Sequence, residues 1–436
     1  MKVNFNNTVG KIKPMHAVNN MPLVGIQDVL HHFVGDAGIP FVRLHDTGSA
    51  YGMSRYVDIH NIFRNWDADE NDPASYDFAF TDWLLNAIHK QNAKVFYRLG
   101  TSIETAQHIQ AFYIYPPKDF KKWAVICEKI IAHYNEGWAD GYHFGIEYWE
   151  IWNEPDNFPD IRDNCMWKGT FEEYMELYKV TSKHLKEKFP QIKVGGYASC
   201  GFYSLFTDEY VKAAGSSERT DYFVECFHKF MKFVKENNLP LDFFSWHSYS
   251  GADKNVVYEE YVHKCLLEYG YEHTESILNE WNPGKNRQGT LDDSAYICDM
   301  MLRMQNTTCD MLMYYNGGVY GAFNALYNPN PMIREPYKAY YALKAFNGLY
   351  RLGTQVEVTE TPQEVSCVAA TDGKKKAILV TNIGTQTNLC ISADCTGDFT
   401  VYRLNEKLNL EEDGTTDLSS DLILNQYETV LLELNC

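Results

Sequence analysis

From the amino terminus to about residue 350, short apolar runs recur, each closed by polar residues and followed by a longer helix-like stretch. The runs fall at residues 13–18, 41–46, 94–99, 148–153, 193–197, 242–249, 276–280 and 311–315. Between them, residues 118–134 carry Trp123, Ile126, Ile130 and Ile131 at helical spacing. Residues 170–189 open with Thr170 and then Glu173, the spacing of a capping box. A Tyr- and Ala-rich stretch, 336–349, predicts a further helix. Strands that alternate with helices form βαβ units around a parallel sheet. Eight units over roughly 340 residues predict an α/β fold, a (β/α)8 TIM barrel with insertions. The rival, an open doubly wound sheet, carries a glycine-rich phosphate turn after its first strand. No GxGxxG occurs there.

Beyond Arg351 the pattern changes. Residues 355–359, 365–370, 377–382, 399–404 and 429–434 are β-rich, separated by turns such as Asp372-Gly373 and Asp413-Gly414, with no helical period between them. Short strands with frequent turns predict a small C-terminal antiparallel β-sandwich. The expected organisation is therefore a barrel domain over 10–350 and a sandwich domain over 351–436. Residues 1–9 join the sandwich through a strand at Val3 to Phe5.

Composition narrows the partners. Against 39 basic side chains stand 58 acidic ones, a formal charge of −19. Nucleic-acid binding rests on clustered Lys and Arg, and none occurs. No apolar run approaches the roughly 20 residues of a membrane span. The first residues lack an apolar signal region. Eleven cysteines are scattered without a CxxC pair, which fits free thiols in a reducing compartment rather than zinc ligands or a disulfide framework. A cytoplasmic protein is the expectation, and a homo-oligomer is allowed. Aromatics make up 15% of the chain, with 31 Tyr and 9 Trp. Rings of this kind build cores and also stack on flat ligand faces.

In a barrel the chemistry sits at the carboxyl ends of the strands. Two of those ends carry glutamates. Glu154 lies in Trp152-Asn153-Glu154-Pro155, closing the fourth strand, and Glu280 follows Asn279 at the end of the seventh. A carboxylate at the end of a buried strand is costly without a purpose. Two facing one pocket suit the cleavage of a glycosidic bond, which needs one carboxyl group to protonate the leaving oxygen and another to attack the sugar carbon.

At these residues the chain resembles glycoside hydrolase family 39, the β-xylosidases and α-L-iduronidases. The likeness runs from Gly10 to His16 through 41–46, Tyr76-Asp77-Phe78, the Asn-Glu-Pro strand and Asn279-Glu280, and on into the trailing β-region. The resemblance implies a retaining glycosidase acting on an oligosaccharide or glycoside, favouring a terminal β-xyloside or arabinoside. It implies Glu154 as acid/base, Glu280 as nucleophile, and Asn153 on the hydroxyl beside the anomeric carbon. His247 and Tyr249, on one face of the sixth strand, would lie near the acid/base and the nucleophile. Arg43 matches an arginine that keeps the nucleophile ionised, and His45, on the same face, would reach the sugar. Trp281 is a sugar-contact candidate divided between that role and barrel packing, as is Trp152. Related barrels end the eighth strand with a Trp platform; here Met313-Tyr314-Tyr315-Asn316-Gly317 stands instead, with Phe323 or Tyr320 as replacements.

The expected charge states are a protonated Glu154, raised by burial and like charge, and an ionised Glu280 beside Arg43 and Tyr249. No cofactor and no metal is expected. Residues 66–72 lack the Gly and final Glu of a calcium loop. His31-His32 reads as a helix-surface pair, and Glu150 as an interior partner of Arg98 or Arg43. The alternatives are a non-catalytic carbohydrate-binding barrel, an endo-acting or uronide-specific glycosidase, and a chain whose β-domain targets a polymer.

Overall fold

The computed structural model describes all residues except 26, 48–56, 103–110, 207–216, 285, 320–323, 329, 331–332, 334 and 435–436, and the side chains of 111 and 112. Strand β1 (Lys2–Lys11) precedes the barrel. Eight parallel strands then close on themselves: β2 (Ala17–Asn19), β3 (Phe41–Leu44), β4 (Lys94–Leu99), β5 (Tyr148–Ile151), β6 (Lys193–Ser199), β7 (Phe243–Ser248), β8 (Glu275–Trp281) and β9 (Met311–Tyr314). All eight expected strands are present. The first is displaced: residues 13–18 begin with Lys13-Pro14, and Pro14 has no N–H to give to a ladder, so pairing starts at Ala17.

Alternation along these strands divides the barrel interior into two zones. Phe41, Phe96, Tyr148, Phe243, Ile277, Met311, Met313 and Ala17 form one apolar cluster, a plug of ring and thioether packing. Two residues further along their strands stand Asn19, Arg43, Arg98, Glu150 and Asn279, all fully buried. Period two keeps i and i+2 on one face. On these five strands the inward position thus turns from apolar to polar towards the carboxyl end.

The crossover helices follow the expected pattern. Phe120–Glu136 buries Trp123, Ile126, Ile130 and Ile131 on one face. Phe171–Lys188 begins with the capping box: Glu173 N donates to Thr170 Oγ1 at 3.1 Å, and Thr170 N donates to Glu173 Oε2 at 2.7 Å. Two orphan N–H groups are thereby satisfied. Lys338–Tyr350 is the last barrel helix.

The remaining strands are β10 (Thr354–Thr359), β11 (Val365–Thr371), β12 (Lys376–Asn382), β13 (Thr387–Leu389), β14 (Ser392–Ala393), β15 (Phe399–Leu404), β16 (Asn409–Thr416), β17 (Leu422–Leu424) and β18 (Thr429–Leu434). Eight strands form one sheet in the order β14-β1-β10-β11-β12-β18-β15-β16, and β13 pairs with β17. The small pair supplies Leu389, Leu422 and Leu424 to a core shared with Ile378, Val380, Phe399 and Leu432 of the large sheet. The opposite face, through Val368, Leu379 and Leu431, joins the barrel core. Pairing is antiparallel except at β1–β14. The unforeseen strands are short or, like β16, polar and exposed. Charged edge strands lack an apolar alternation to read. The amino-terminal strand is ten residues long rather than three, because β10 pairs with it from Lys2 to Lys11.

Among the described residues, every cysteine is a free thiol, and no helix is long and apolar enough to cross a membrane.

Candidate active site

The polar interior of the barrel converges on Arg43. Its Nε and Nη2 donate to Glu150 Oε2 at 2.9 and 2.7 Å, and Nη1 donates to Asn19 Oδ1 at 2.9 Å. Nη1 also reaches Glu280 Oε2 at 3.2 Å, and Nη2 reaches Asn153 Oδ1 at 2.6 Å. One buried guanidinium therefore fixes four residues from three strands or strand ends, using the rigid donor fork that distinguishes Arg from Lys. Asn279 Nδ2 donates to the other oxygen of Glu150, so that carboxylate is satisfied on both sides. Arg98 pairs with Asp58 at 2.7 Å instead, which decides between the two partners considered for Glu150.

The two strand-end glutamates meet above this layer. His247 Nδ1 lies 2.7 Å from Glu154 Oε1, and its Nε2 lies 3.6 Å from Glu280 Oε2. The Tyr249 hydroxyl donates a short bond to Glu280 Oε1. One oxygen of each glutamate and one ring nitrogen of His247 lie within 4.8 Å of one another. The nearest carboxylate oxygens thus lie closer than the ~6.5–9.5 Å that inversion leaves between carboxyl groups. A cation could bridge the three donors only beside Arg43, whose positive charge already lies on Glu280.

The directions of the shifts run opposite to the sequence expectation. Burial favours neutral Glu154, but the bond and charge of His247, with Arg219 and the Asn157 amide, outweigh it and hold the carboxyl below its usual range. Burial, joined by the Glu154 charge, lifts Glu280 above its usual range against His247, Arg43 and Tyr249. His247 itself is raised: burial opposes its charge, and the two carboxylates override burial. The reason is distance, since the imidazole stands nearer Glu154 than Glu280. These directions favour a charged His247 beside an ionised Glu154. Nearby, burial and then the Glu154 charge push Asp156 up to about 7.

Of the residues singled out in the sequence, Glu154, Glu280, Asn153, Arg43, His247 and Tyr249 are brought together. His45 stands at the barrel mouth beside Asp46, its Nε2 3.3 Å from Oδ1. The Tyr315 hydroxyl donates to Asp46 Oδ2 at 3.2 Å. Trp281 is a correction: it is 1% exposed and packs edge-on against Tyr314 at 5.4 Å, in the core rather than in the pocket. The register shift on β8 turns both Asn279 and Glu280 inward and leaves Trp281 facing the core. Trp152 is likewise core, wedged between Trp123 and Trp167 with its indole N–H on Met166 O. Tyr320 and Phe323 lie outside the described residues. Sequence reasoning missed Asn19, Asn157 and Asp46; Asn19 ends β2, Asp46 follows β3 and Asn157 lies in the loop after β5, small polar residues with no spacing to mark them.

Two curated β-xylosidases resemble parts of this chain. That of Geobacillus stearothermophilus is 28% identical over 222 residues, covering 48% of this chain and 37% of its own length. That of Caldicellulosiruptor saccharolyticus is 27% identical over 153 residues, covering 35% and 25%. The matched segments thus span about a third or less of those relatives. Among solved structures, a glucosidase from Croceicoccus marinus superposes with a TM-score of 0.73 at 18% identity, over 100% of this chain and 98% of that one. A family 39 β-xylosidase from Caulobacter crescentus gives 0.70 at 16%, over 100% and 99%. At such identities the superpositions establish the fold. Residues 2–351, the barrel together with its amino-terminal strand, match the profile of Glycosyl hydrolases family 39, and the chain belongs to that family.

Proposed function

We propose that this protein is a retaining glycosidase that removes a terminal sugar by double displacement, with Glu154 as acid/base and Glu280 as nucleophile. The observation that carries the reading is the pair of glutamates bridged by one imidazole, with donor atoms within 4.8 Å. Glu280 attacks the anomeric carbon while Glu154 gives its proton to the glycosidic oxygen, so the leaving group departs as an alcohol and a glycosyl ester remains. Water then attacks the same carbon, losing a proton to Glu154, and Glu280 is released. Tyr249 and Arg43 hold the attacking carboxylate in place through the bonds described above. The 2.7 Å His247–Glu154 contact gives a path by which the imidazole can supply Glu154 with the proton that the first step requires. The two groups titrate as a unit.

The favoured substrate is a β-xyloside or arabinoside, following the curated β-xylosidases that the chain resembles. Arg43, the cation at the pocket floor, is already shared by Glu150 and Glu280, which supports a neutral sugar over a uronide. The test is hydrolysis of aryl β-xyloside, α-arabinosides, β-glucoside, β-galactoside and α-iduronide. Activity is expected on a pentoside and absent in Glu280→Ala. Glu154→Ala is expected to keep activity on good leaving groups and to form a glycosyl azide of retained configuration in azide. Full activity in either variant removes that residue from the mechanism.

A further inference from the structure

Both oxygens of Glu154 are engaged, and only one partner is the histidine. Asn157 Nδ2 donates to Glu154 Oε2 at 2.9 Å. The backbone explains how a residue three positions on can return to this carboxylate. Trp152 and Glu154 adopt left-handed conformations, with φ of 73° and 47°, and Asn157 N donates to Glu154 O at 3.1 Å. The chain therefore closes a turn on itself immediately after the Asn-Glu-Pro strand. Non-glycine residues seldom hold such angles unless the surroundings enforce them.

The surroundings of Asn157 do so. The residue is 5% exposed. Its carbonyl accepts Arg219 Nε at 2.7 Å, and that guanidinium lies 4.1 Å from the Phe158 ring centroid. The Cys165 thiol donates to Asn157 Oδ1 at 3.3 Å, and Nδ2 also points at Cys200 Sγ, 3.6 Å away. This arrangement fixes which way round the amide sits. Reversed, Oδ1 would face the Glu154 carboxylate, acceptor against acceptor, and the NH2 would face the thiol donor.

We propose that Asn157 is a positioning residue for the acid/base: clamped by Arg219 and the two thiols, it presents a fixed N–H to Glu154 Oε2 and favours the ionised carboxylate that activates water in the second half of the reaction. This rests on the reading of Glu154 as acid/base. Oε1 is left to exchange a proton with His247 and the sugar oxygen. A donor to the charged form stabilises that form and not the neutral one.

The test is the pH dependence of kcat/KM on the fastest aryl glycoside of the panel, for Asn157→Ala, Asn157→Ser and Asn157→Asp, with near-UV circular dichroism to confirm folding. The basic limb reports loss of the catalytic proton. A hydrogen bond to a charged group is worth enough to move that limb by about one unit. The limb is expected to move to higher pH in Asn157→Ala, less in Asn157→Ser and further in Asn157→Asp, where a like charge replaces the donor. The acidic limb, set by Glu280, is expected to stay. Loss of activity uniform across pH, with both limbs in place in the folded variants, overturns the proposal and makes Asn157 structural. Azide rescue of Glu154→Ala is measured alongside. Rescue with an unmoved limb refutes only the role of Asn157, whereas wild-type behaviour of Glu154→Ala refutes the acid/base reading beneath it.

Discussion

Replacing Arg43 by Met removes a guanidinium that is fully buried and bonded to two carboxylates, Glu150 and Glu280, and to two amide oxygens. Removing one partner of a buried ion pair leaves an uncompensated charge and costs about 3–5 kcal/mol. Here most of that cost falls on Glu150, which receives two of the guanidinium's five hydrogen bonds. The double variant Arg43→Met/Glu150→Gln neutralises the stranded charge and keeps an oxygen to accept from Asn279 Nδ2. It is expected to recover at least half of the lost stability. Activity is expected not to recover, because Glu280 still lacks a charge-assisted bond worth about 1.5–3 kcal/mol. That corresponds to roughly a 10- to 100-fold loss in kcat/KM. The assay pairs urea unfolding midpoints at constant slope with aryl glycoside kinetics. A double variant as unstable as the single one would show that Glu150 is not the stranded charge. A double variant with wild-type kcat/KM would show that Arg43 does nothing for Glu280.

Tyr249→Phe removes the hydroxyl donor to Glu280 and so disfavours its ionised form; kcat/KM is expected to fall about 10-fold or more, with the acidic limb moving to higher pH. An unmoved limb would place Tyr249 outside the nucleophile's environment. Glu259 is fully buried, accepts Ser276 Oγ at 2.6 Å and Thr308 Oγ1 at 2.8 Å, and is pushed up to about 7, chiefly by burial. Its folded value exceeds its unfolded one, so its stabilising effect is complete below the unfolded value and is lost as pH rises through about 7. Stability of the wild type relative to Glu259→Gln is therefore expected to fall by about 2–3 kcal/mol between pH 5 and pH 8, and a flat difference in urea titrations would contradict this. Treatment with EDTA is expected to leave the rate unchanged, since Arg43 occupies the position beside Glu280 that a cation would need; loss of activity restored by a metal would overturn the two-carboxylate mechanism.

The sequence by itself determined the barrel and its reactive rim. Parallel strands buried on both faces read as near-continuous apolar runs, so 311–315, and 94–99 apart from Lys94 and Arg98, were visible without any partner. Glu154 and Glu280 stood out because a carboxylate closing such a run has no packing role. The helix after Thr170 was legible from its cap alone, since that bonding is local. What tertiary structure decided were matters of facing, pairing and distance. Register shifts in β7 and β8 set which strand-end residues turn inward, sending Glu280 to the pocket and Trp281 to the core. Pairing with β10 drew the ten residues Lys2–Lys11 into the second sheet, across a sequence separation that no local pattern spans. The opposite shifts of the two glutamates follow a 2.7 Å contact with His247 against a 3.6 Å one. The pairing of Glu150 with Arg43 and of Arg98 with Asp58, and the return of Asn157 to Glu154, rest on the same physics. In a buried low-dielectric site, small differences in separation decide which charge belongs to which, and separations between distant residues exist only once the chain has folded.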